Sequence, residues 1–120
     1  MADVLTKIEI ITRPSKFEEL KSELAKIGVS GITVSNVLGC GLQQGLPEVY
    51  RGVKRQNTMY ERIKVETVVC KVPVQDVVDT VRKVCNTGKP GDGKIFIYEL
   101  TNAIKIRTGE EGYDALQNTK

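Results

Sequence analysis

The sequence contains no histidine and no tryptophan, and only two phenylalanines and four tyrosines. Without histidine the chain lacks the commonest general base, any histidine-bearing nucleophilic triad and the usual zinc ligand sets. Aromatic scarcity argues against a nucleic-acid reader, because single-stranded RNA is gripped by bases stacking on paired sheet aromatics, and these strands lack such pairs. No apolar run approaches the roughly 18 residues a membrane span needs, so any membrane role would come through a partner. The three cysteines, Cys40, Cys70 and Cys85, are odd in number and lack metal-type spacing. No secretory leader is expected from the start of the sequence, MADVLTKIEI being charged and strand-like. A reducing cytoplasmic setting is expected, with two cysteines buried as small hydrophobes and one in a loop.

What is present is ordinary in bulk. A chain of 120 residues is most simply one domain, able to bury about two thirds of its unfolded surface. Eighteen Lys and Arg against 15 Asp and Glu give a net charge of +3, which permits an anionic ligand without demanding nucleic acid.

The order within the chain is more informative. KIEIITRPSKFEELKSELAKIG, from Lys7, lies over KVETVVCKVPVQDVVDTVRKVC, from Lys64, without a gap, and each half reads strand, turn, helix. Phe17, Leu20, Leu24 and Ile27 follow helical spacing, with Ser15 and Glu18 expected to form a capping box after Pro14. Val74, Val77, Val78, Val81 and Val84 make the matching stripe, with Pro73 suited to the first turn. Both stripes are read as core. Strands follow at Gly31 to Leu38 and Lys94 to Leu100, giving βαβ twice: an α+β, ferredoxin-like βαββαβ sandwich. A last short strand, NAIKIRT, is expected to send Ile104 and Ile106 to one face and Lys105 and Arg107 to the other. Two helices cover one side of such a sheet, so its other face is expected to meet a further copy of the chain.

Two connections stand out. Between Leu38 and the strand around Ile63 lies GCGLQQGLPEVYRGVKRQNTMYER, which has no helical or alternating pattern and is longer than a passive linker in a small domain. Its glycines and its Leu46, Val49 and Tyr50 suit a loop that changes shape and binds a partner. The second connection is TGKPGDGKIF, Thr87 to Phe96, where Gly88, Gly91 and Gly93 permit close backbone approach and Lys89 and Lys94 supply charge. It is not a Walker loop, because no helix follows, and Pro90-Gly91-Asp92-Gly93 is also plain turn chemistry. Lys105 and Arg107 favour the anion reading, since two cations on one strand face repel unless an anion lies between them. Arg51, Lys54 and Arg55 add a third basic segment, and a polyphosphate is the ligand expected. Glu66, opposite Val65 in facing, is either a solvated or salt-bridged carboxylate or a hydrogen-bond acceptor for that ligand.

TGKPGDGKIF, the following IKIRTGE and the YRG of the long loop together resemble the PII nitrogen-regulatory signal-transduction proteins over nearly the whole chain. The resemblance implies a homotrimer of ferredoxin-like subunits that is not an enzyme. Its intersubunit clefts would bind ATP or ADP, with Mg²⁺ and 2-oxoglutarate joining ATP, beneath a flexible T-loop at about residues 39–59. By matching position, phosphates would meet Gly91, Asp92, Gly93 and Lys94, with Lys105 and Arg107 from the neighbouring subunit. Ser30, Gly39, Cys40, Gly41, Leu42, Glu66, Val68 and Thr87 would line the adenosine and loop-base part. Gln43 would ligate Mg²⁺, an oxygen donor suited to a hard cation. Gly41, Gln43, Gln44, Arg62 and Gly91 would surround 2-oxoglutarate. Tyr50, Arg51 and Gly52 would dock on an ammonium transporter, with Arg51 plugging its pore as a permanently charged, multiply hydrogen-bonding group. Nitrogen-metabolism enzymes or regulators are further implied partners. The protein would be cytoplasmic, and peripheral at the membrane when docked.

The chain departs from that pattern in three places. Gln44 stands where many relatives carry a lysine that pairs with the 2-oxoglutarate carboxylate. Losing such a bond costs about 1.5 to 3 kcal/mol, so weak, altered or absent 2-oxoglutarate binding is expected. Arg55 replaces the tyrosine that some relatives nucleotidylate and Val53 the serine that others phosphorylate, so no covalent switching is expected at those positions.

Overall fold

The computed structural model describes residues 3–41 and 59–117, and the backbone of 49–50 and 53–54. Strand β1, Leu5–Thr12, buries Ile8, Ile10 and Thr12 on one face and turns Lys7, Glu9 and Ile11 to the other, as the two-residue period of a strand requires. A 3-10 turn at Pro14–Lys16 leads into helix α1, Phe17–Lys26. Ser15 therefore already lies inside helical backbone, and α1 has no side-chain cap. The expected capping box is absent because Pro14, with its fixed φ, starts the helical turn one residue too early for it. Pro73 likewise is the extended residue just before helix α2, Val74–Cys85, and its carbonyl accepts from the amides of Asp76 and Val77.

Strand β2 runs Thr33–Cys40, and two-residue strands β3, Val49–Tyr50, and β4, Val53–Lys54, pair with each other inside the long connection. Strand β5 is Met59–Val69 and β6 is Lys94–Leu100. The four long strands lie in the order β2-β5-β1-β6, every neighbouring pair antiparallel, which is the ferredoxin-like arrangement expected. β2 and β5 reach further towards the long connection than the sequence suggests, because Gly39 and Cys40 pair with Tyr60 and Met59. Gly39 permits this: a Cβ there would lie 2.6 Å from the Tyr60 ring.

The core forms where α1 and α2 cover one sheet face. Leu20 and Leu24 of α1 and Val77, Val81, Val84 and Cys85 of α2 pack on Ile8, Ile10, Ile63, Val65 and Val69. Of the cysteines only Cys85 is fully buried; Cys70 is half-buried, and Cys40 ends β2 with its side chain exposed, not in a loop. All three are free thiols, and burial pushes the Cys85 thiol above its ordinary pKa.

NAIKIRT is not a strand. Ile104 makes a single bridge with Glu111, and Lys105 and Gly109 close a turn between them through the Lys105 amide to Glu110 and the Gly109 amide to Lys105. The Asn102 side chain organises its base, accepting from the amides of Ala103 and Gly112 and donating to Glu111. The two isoleucines do not enter a core: Ile104 is 62% and Ile106 fully exposed. The alternation of apolar and basic residues is real, but a turn has no two-residue period on which to sort it. No helix among the described residues is long and apolar enough to cross a membrane.

Leu20 is completely buried between the helices and the sheet. Leu20→Ala removes that packing and leaves a cavity, so it is expected to lower unfolding stability by about 3 kcal/mol, measurable by urea titration at fixed protein concentration.

Candidate functional site

The helix-free face of the sheet carries Lys7, Glu9 and Ile11 from β1, Tyr60, Arg62, Lys64, Glu66 and Val68 from β5, and Lys94, Phe96 and Tyr98 from β6. Two cavities open on it, at opposite ends of the strands. One, about 460 Å³, is lined by Lys7, Ser30, Gly31, Thr33, Glu66, Val68 and Leu116. The other, about 510 Å³, is lined by Ile11, Tyr60, Arg62, Lys89, Gly91, Asp92, Gly93, Lys94 and Phe96. Along β5 Glu66 lies four positions beyond Arg62, roughly 13 Å of strand.

The second cavity is built by strand register. Lys94 lies opposite Ile11, so the residues before Lys94 must cross the end of β1 at Thr12 and Arg13. Gly93 makes the crossing close: its φ is +111°, and a Cβ would stand 1.8 Å from the Ile11 carbonyl oxygen, which only glycine permits. The Thr12 hydroxyl then donates to the Asp92 carbonyl at 2.8 Å.

Asp92 holds the loop in shape. Its carboxylate accepts from the amides of Thr87 at 2.7 Å and Gly88 at 3.1 Å and from the Thr87 hydroxyl, and it pairs with the Arg13 guanidinium. The Thr87 hydroxyl, then Arg13 and the two amides, hold this carboxyl far below the usual carboxylate range. Arg13 also donates to the Pro90 carbonyl at 2.9 Å, and Arg62 donates to the Gly91 carbonyl at 3.2 Å while lying 4.4 Å over the Tyr60 ring. Two guanidiniums thus grip a left-handed Gly91, whose missing Cβ would lie 2.9 Å from Arg13. Lys89 and Lys94 are exposed beside it. A glycine loop rigidified by a saturated carboxylate and flanked by four cations is suited to receiving an anion.

The first cavity has a different chemistry. Glu66 pairs with Lys7 at 2.7 Å, and Lys7 also lies 3.9 Å from Glu9 and over the Tyr98 ring. The Lys7 hydrogen bond lowers the Glu66 pKa and raises that of Lys7. Of the two readings of Glu66 the structure thus realises the salt bridge, with the carboxylate still lining a cavity.

The residues singled out in the sequence therefore fall into groups. Ser30, Glu66 and Val68 meet at the first cavity; Arg62, Gly91, Asp92, Gly93 and Lys94 meet at the second, with Thr87 bound to Asp92. Gly39, Cys40 and Gly41 lie at the end of β2 beside Tyr60. Lys105 and Arg107 belong to the C-terminal turn, where the Lys105 ammonium donates to the Gln117 carbonyl at 2.7 Å and lies 3.5 Å from Glu110. An anion between Lys105 and Arg107 is thus not required to explain Lys105. Leu42, Gln43, Gln44, Arg51, Gly52 and Arg55 lie outside the described residues, and of Tyr50 only the backbone is described. Sequence reasoning missed Arg13 and Lys7. The signal for Arg13 was the antiparallel neighbourhood of β1 and β6, which brings a cation at the end of β1 to the glycine loop.

The model for the family "Nitrogen regulatory protein P-II" matches residues 5–110. The chain is 59% identical over 116 residues to the nitrogen regulatory PII-like protein of Bacillus subtilis, covering 97% of this chain and all of that one. It is 39% identical over 112 residues to the nitrogen regulatory protein P-II of Pasteurella multocida, covering 93% and 100%. Among solved structures, the complex of Bacillus subtilis GlnK with ATP superposes with a TM-score of 0.83 at 52% identity, covering 96% of this chain and 98% of that one. Arabidopsis thaliana PII bound to citrate superposes with a TM-score of 0.76 at 35% identity, covering 94% and 92%.

Gly93→Ala forces a Cβ into the Ile11 carbonyl at a positive φ, and a loss of about 3 kcal/mol or more is expected in thermal or urea unfolding. Asp92 gives a pH signature. Its folded pKa is depressed, so its contribution to stability is fully present above the unfolded carboxyl value, about 3.9, and is lost as pH falls through the folded value. The gap in unfolding midpoint between the unaltered protein and Asp92→Asn is therefore expected to stay constant above about pH 5 and to shrink below about pH 4.

Proposed function

Because the chain belongs to the nitrogen regulatory protein P-II family, whose members are signalling regulators and not enzymes, we propose that it is an adenine-nucleotide sensor that acts by docking on a partner. ATP or ADP binds where two copies of a homotrimer meet. The phosphates lie on Gly91, Asp92, Gly93 and Lys94, with Lys105 and Arg107 contributed by the adjoining copy. Ser30, Gly39, Cys40, Gly41, Leu42, Glu66, Val68 and Thr87 complete the nucleoside and loop-base part.

The observation that carries this reading is the split of the site within one chain. The cationic glycine loop and the cavity at Ser30, Glu66 and Val68 lie at opposite ends of one sheet face. In a head-to-tail ring the loop end of one copy meets the carboxylate end of the next, and each junction is one complete site; heterologous contacts form rings where their rotation closes. The Bacillus subtilis GlnK structure solved with ATP supports the choice of ligand.

The loop end supports the sensor role. Gly91 is tied through Arg62 and Tyr60 to Gly39, at the base of the long connection. A phosphate on Gly91 thereby acts on the segment that carries Gln43, Tyr50, Arg51 and Gly52. ATP and ADP signal differently only if they favour different shapes of that segment, since a ligand with equal affinity for both shapes shifts neither. Mg²⁺ enters with ATP at Gln43. 2-Oxoglutarate, at Gly41, Gln43, Gln44, Arg62 and Gly91, is bound weakly because Gln44 lacks a charge. The partner is an ammonium transporter met by Tyr50, Arg51 and Gly52. The protein is cytoplasmic and reaches the membrane only through that partner.

Isothermal titration combined with sedimentation tests the reading. A trimer binding three ATP or ADP competitively, with 2-oxoglutarate adding less than tenfold to ATP affinity in Mg²⁺, is the result expected. A monomer, or no heat with millimolar adenine nucleotide, overturns it.

A further inference from the structure

The register of β1 against β5 sets Glu9 directly opposite Glu66. Both lie on the helix-free face, and like charges directly opposite on neighbouring strands destabilise a sheet. Lys7 resolves the conflict. It comes from the next same-face position of β1, opposite Val68, and its ammonium lies 2.7 Å from Glu66 Oε2 and 3.9 Å from Glu9 Oε1. The Tyr98 ring flanks Lys7, and the Tyr98 hydroxyl donates to Glu9 at 3.3 Å. Lys7 and Glu66 both line the cavity that also contains Ser30 and Val68.

We propose that Lys7 is a positioning residue for nucleotide binding: it keeps Glu66 ionised and aimed into the nucleoside cavity as an acceptor for a hydroxyl or amino group of the ligand. This rests on the nucleotide reading above. The mechanism is electrostatic. Around Glu66 the charged and titratable groups are Lys7, Glu9 and, through Glu9, Tyr98 from β1 and β6, and Lys64 along β5; its β2 neighbour, Thr33, is neutral. Removing Lys7 leaves the two carboxylates facing each other with Lys64 as the remaining nearby cation, which favours a proton on Glu66. A protonated Glu66 is a poorer acceptor, so a pH dependence of binding appears that the unaltered protein lacks.

The test measures Mg-ATP affinity for the unaltered protein, Lys7→Met, Lys7→Arg, and Lys7→Met combined with Glu9→Gln, each verified as folded and of unchanged oligomeric state. Affinities are expressed as ratios to the unaltered protein at each pH, which cancels the titration of ATP itself. The Lys7→Met ratio is expected to fall by up to roughly tenfold as pH is lowered from about 7.5 to about 4.5, while Lys7→Arg stays flat. Adding Glu9→Gln, which removes the opposing carboxylate, recovers most of the fall. Carbon-13 titration of the Glu66 carboxyl, read without nucleotide, moves upward in Lys7→Met and serves as the measurement should that variant lose its oligomeric state. ATP binding with a flat Lys7→Met ratio, or an unmoved Glu66 titration, overturns the assignment of Lys7 alone. Absence of ATP binding by the unaltered protein overturns the nucleotide reading and this one with it.

Discussion

The loop end of the molecule depends on the contact of the Gly93 main chain with the Ile11 carbonyl. With Gly93 seated there, at a φ of +111° and with no room for a side chain, Asp92 is delivered to the end of β1, within reach of Thr12 and Arg13. Once Asp92 is fixed, its carboxylate gathers Thr87 and Gly88, and the loop from Thr87 to Gly93 closes on itself. Arg13 and Arg62 then grip carbonyls of the same loop from outside. The sequence of causes runs from strand register, through one glycine, to a loop held in shape and flanked by cations.

The two carboxylates of the candidate site illustrate how environment assigns roles. Asp92 is saturated by two amides, a hydroxyl and a guanidinium, so its charge is spent on the loop. Glu66 is engaged through Oε2 by one lysine and lines a cavity, which leaves it able to meet a ligand donor. Residue type alone does not distinguish them; the number and kind of donors around each carboxylate does.

Much of this was legible in the chain because periodicity is a local property. The gapless repetition of strand, turn and helix gave both helices, the core stripe and the antiparallel sheet, and β6 was bounded correctly at Lys94 and Leu100. Errors arose where a pattern was satisfied by something other than the element it suggested. Ile104 and Ile106 alternate with Lys105 and Arg107 like a strand, yet Gly109 and the Asn102 side chain fold the segment into a turn. Ser15 and Glu18 match a capping box, but Pro14 had already begun the helical backbone. The cradle's own supports were not legible from local spacing: Arg13 and Asp92 lie 79 residues apart, and only the antiparallel register of β1 against β6 joins them.

That same repetition accounts for the division of the site. Ser30 in the connection after α1 and Thr87 in the connection after α2 occupy equivalent places in the two halves, as do Glu9 and Glu66 on the central strands. In a ferredoxin-like sheet the two central strands are antiparallel, so equivalent connections are carried to opposite ends of the face. The halves differ in content: one end presents a serine beside a lysine-held carboxylate, the other a glycine loop flanked by arginines and lysines. Equal ends would favour a two-fold contact of like with like. Unequal, chemically complementary ends suit a heterologous contact of one end with the other, which yields a ring where its rotation closes. That difference in content also separates a cationic, anion-receiving end from a hydrogen-bonding, carboxylate end along a single sheet face.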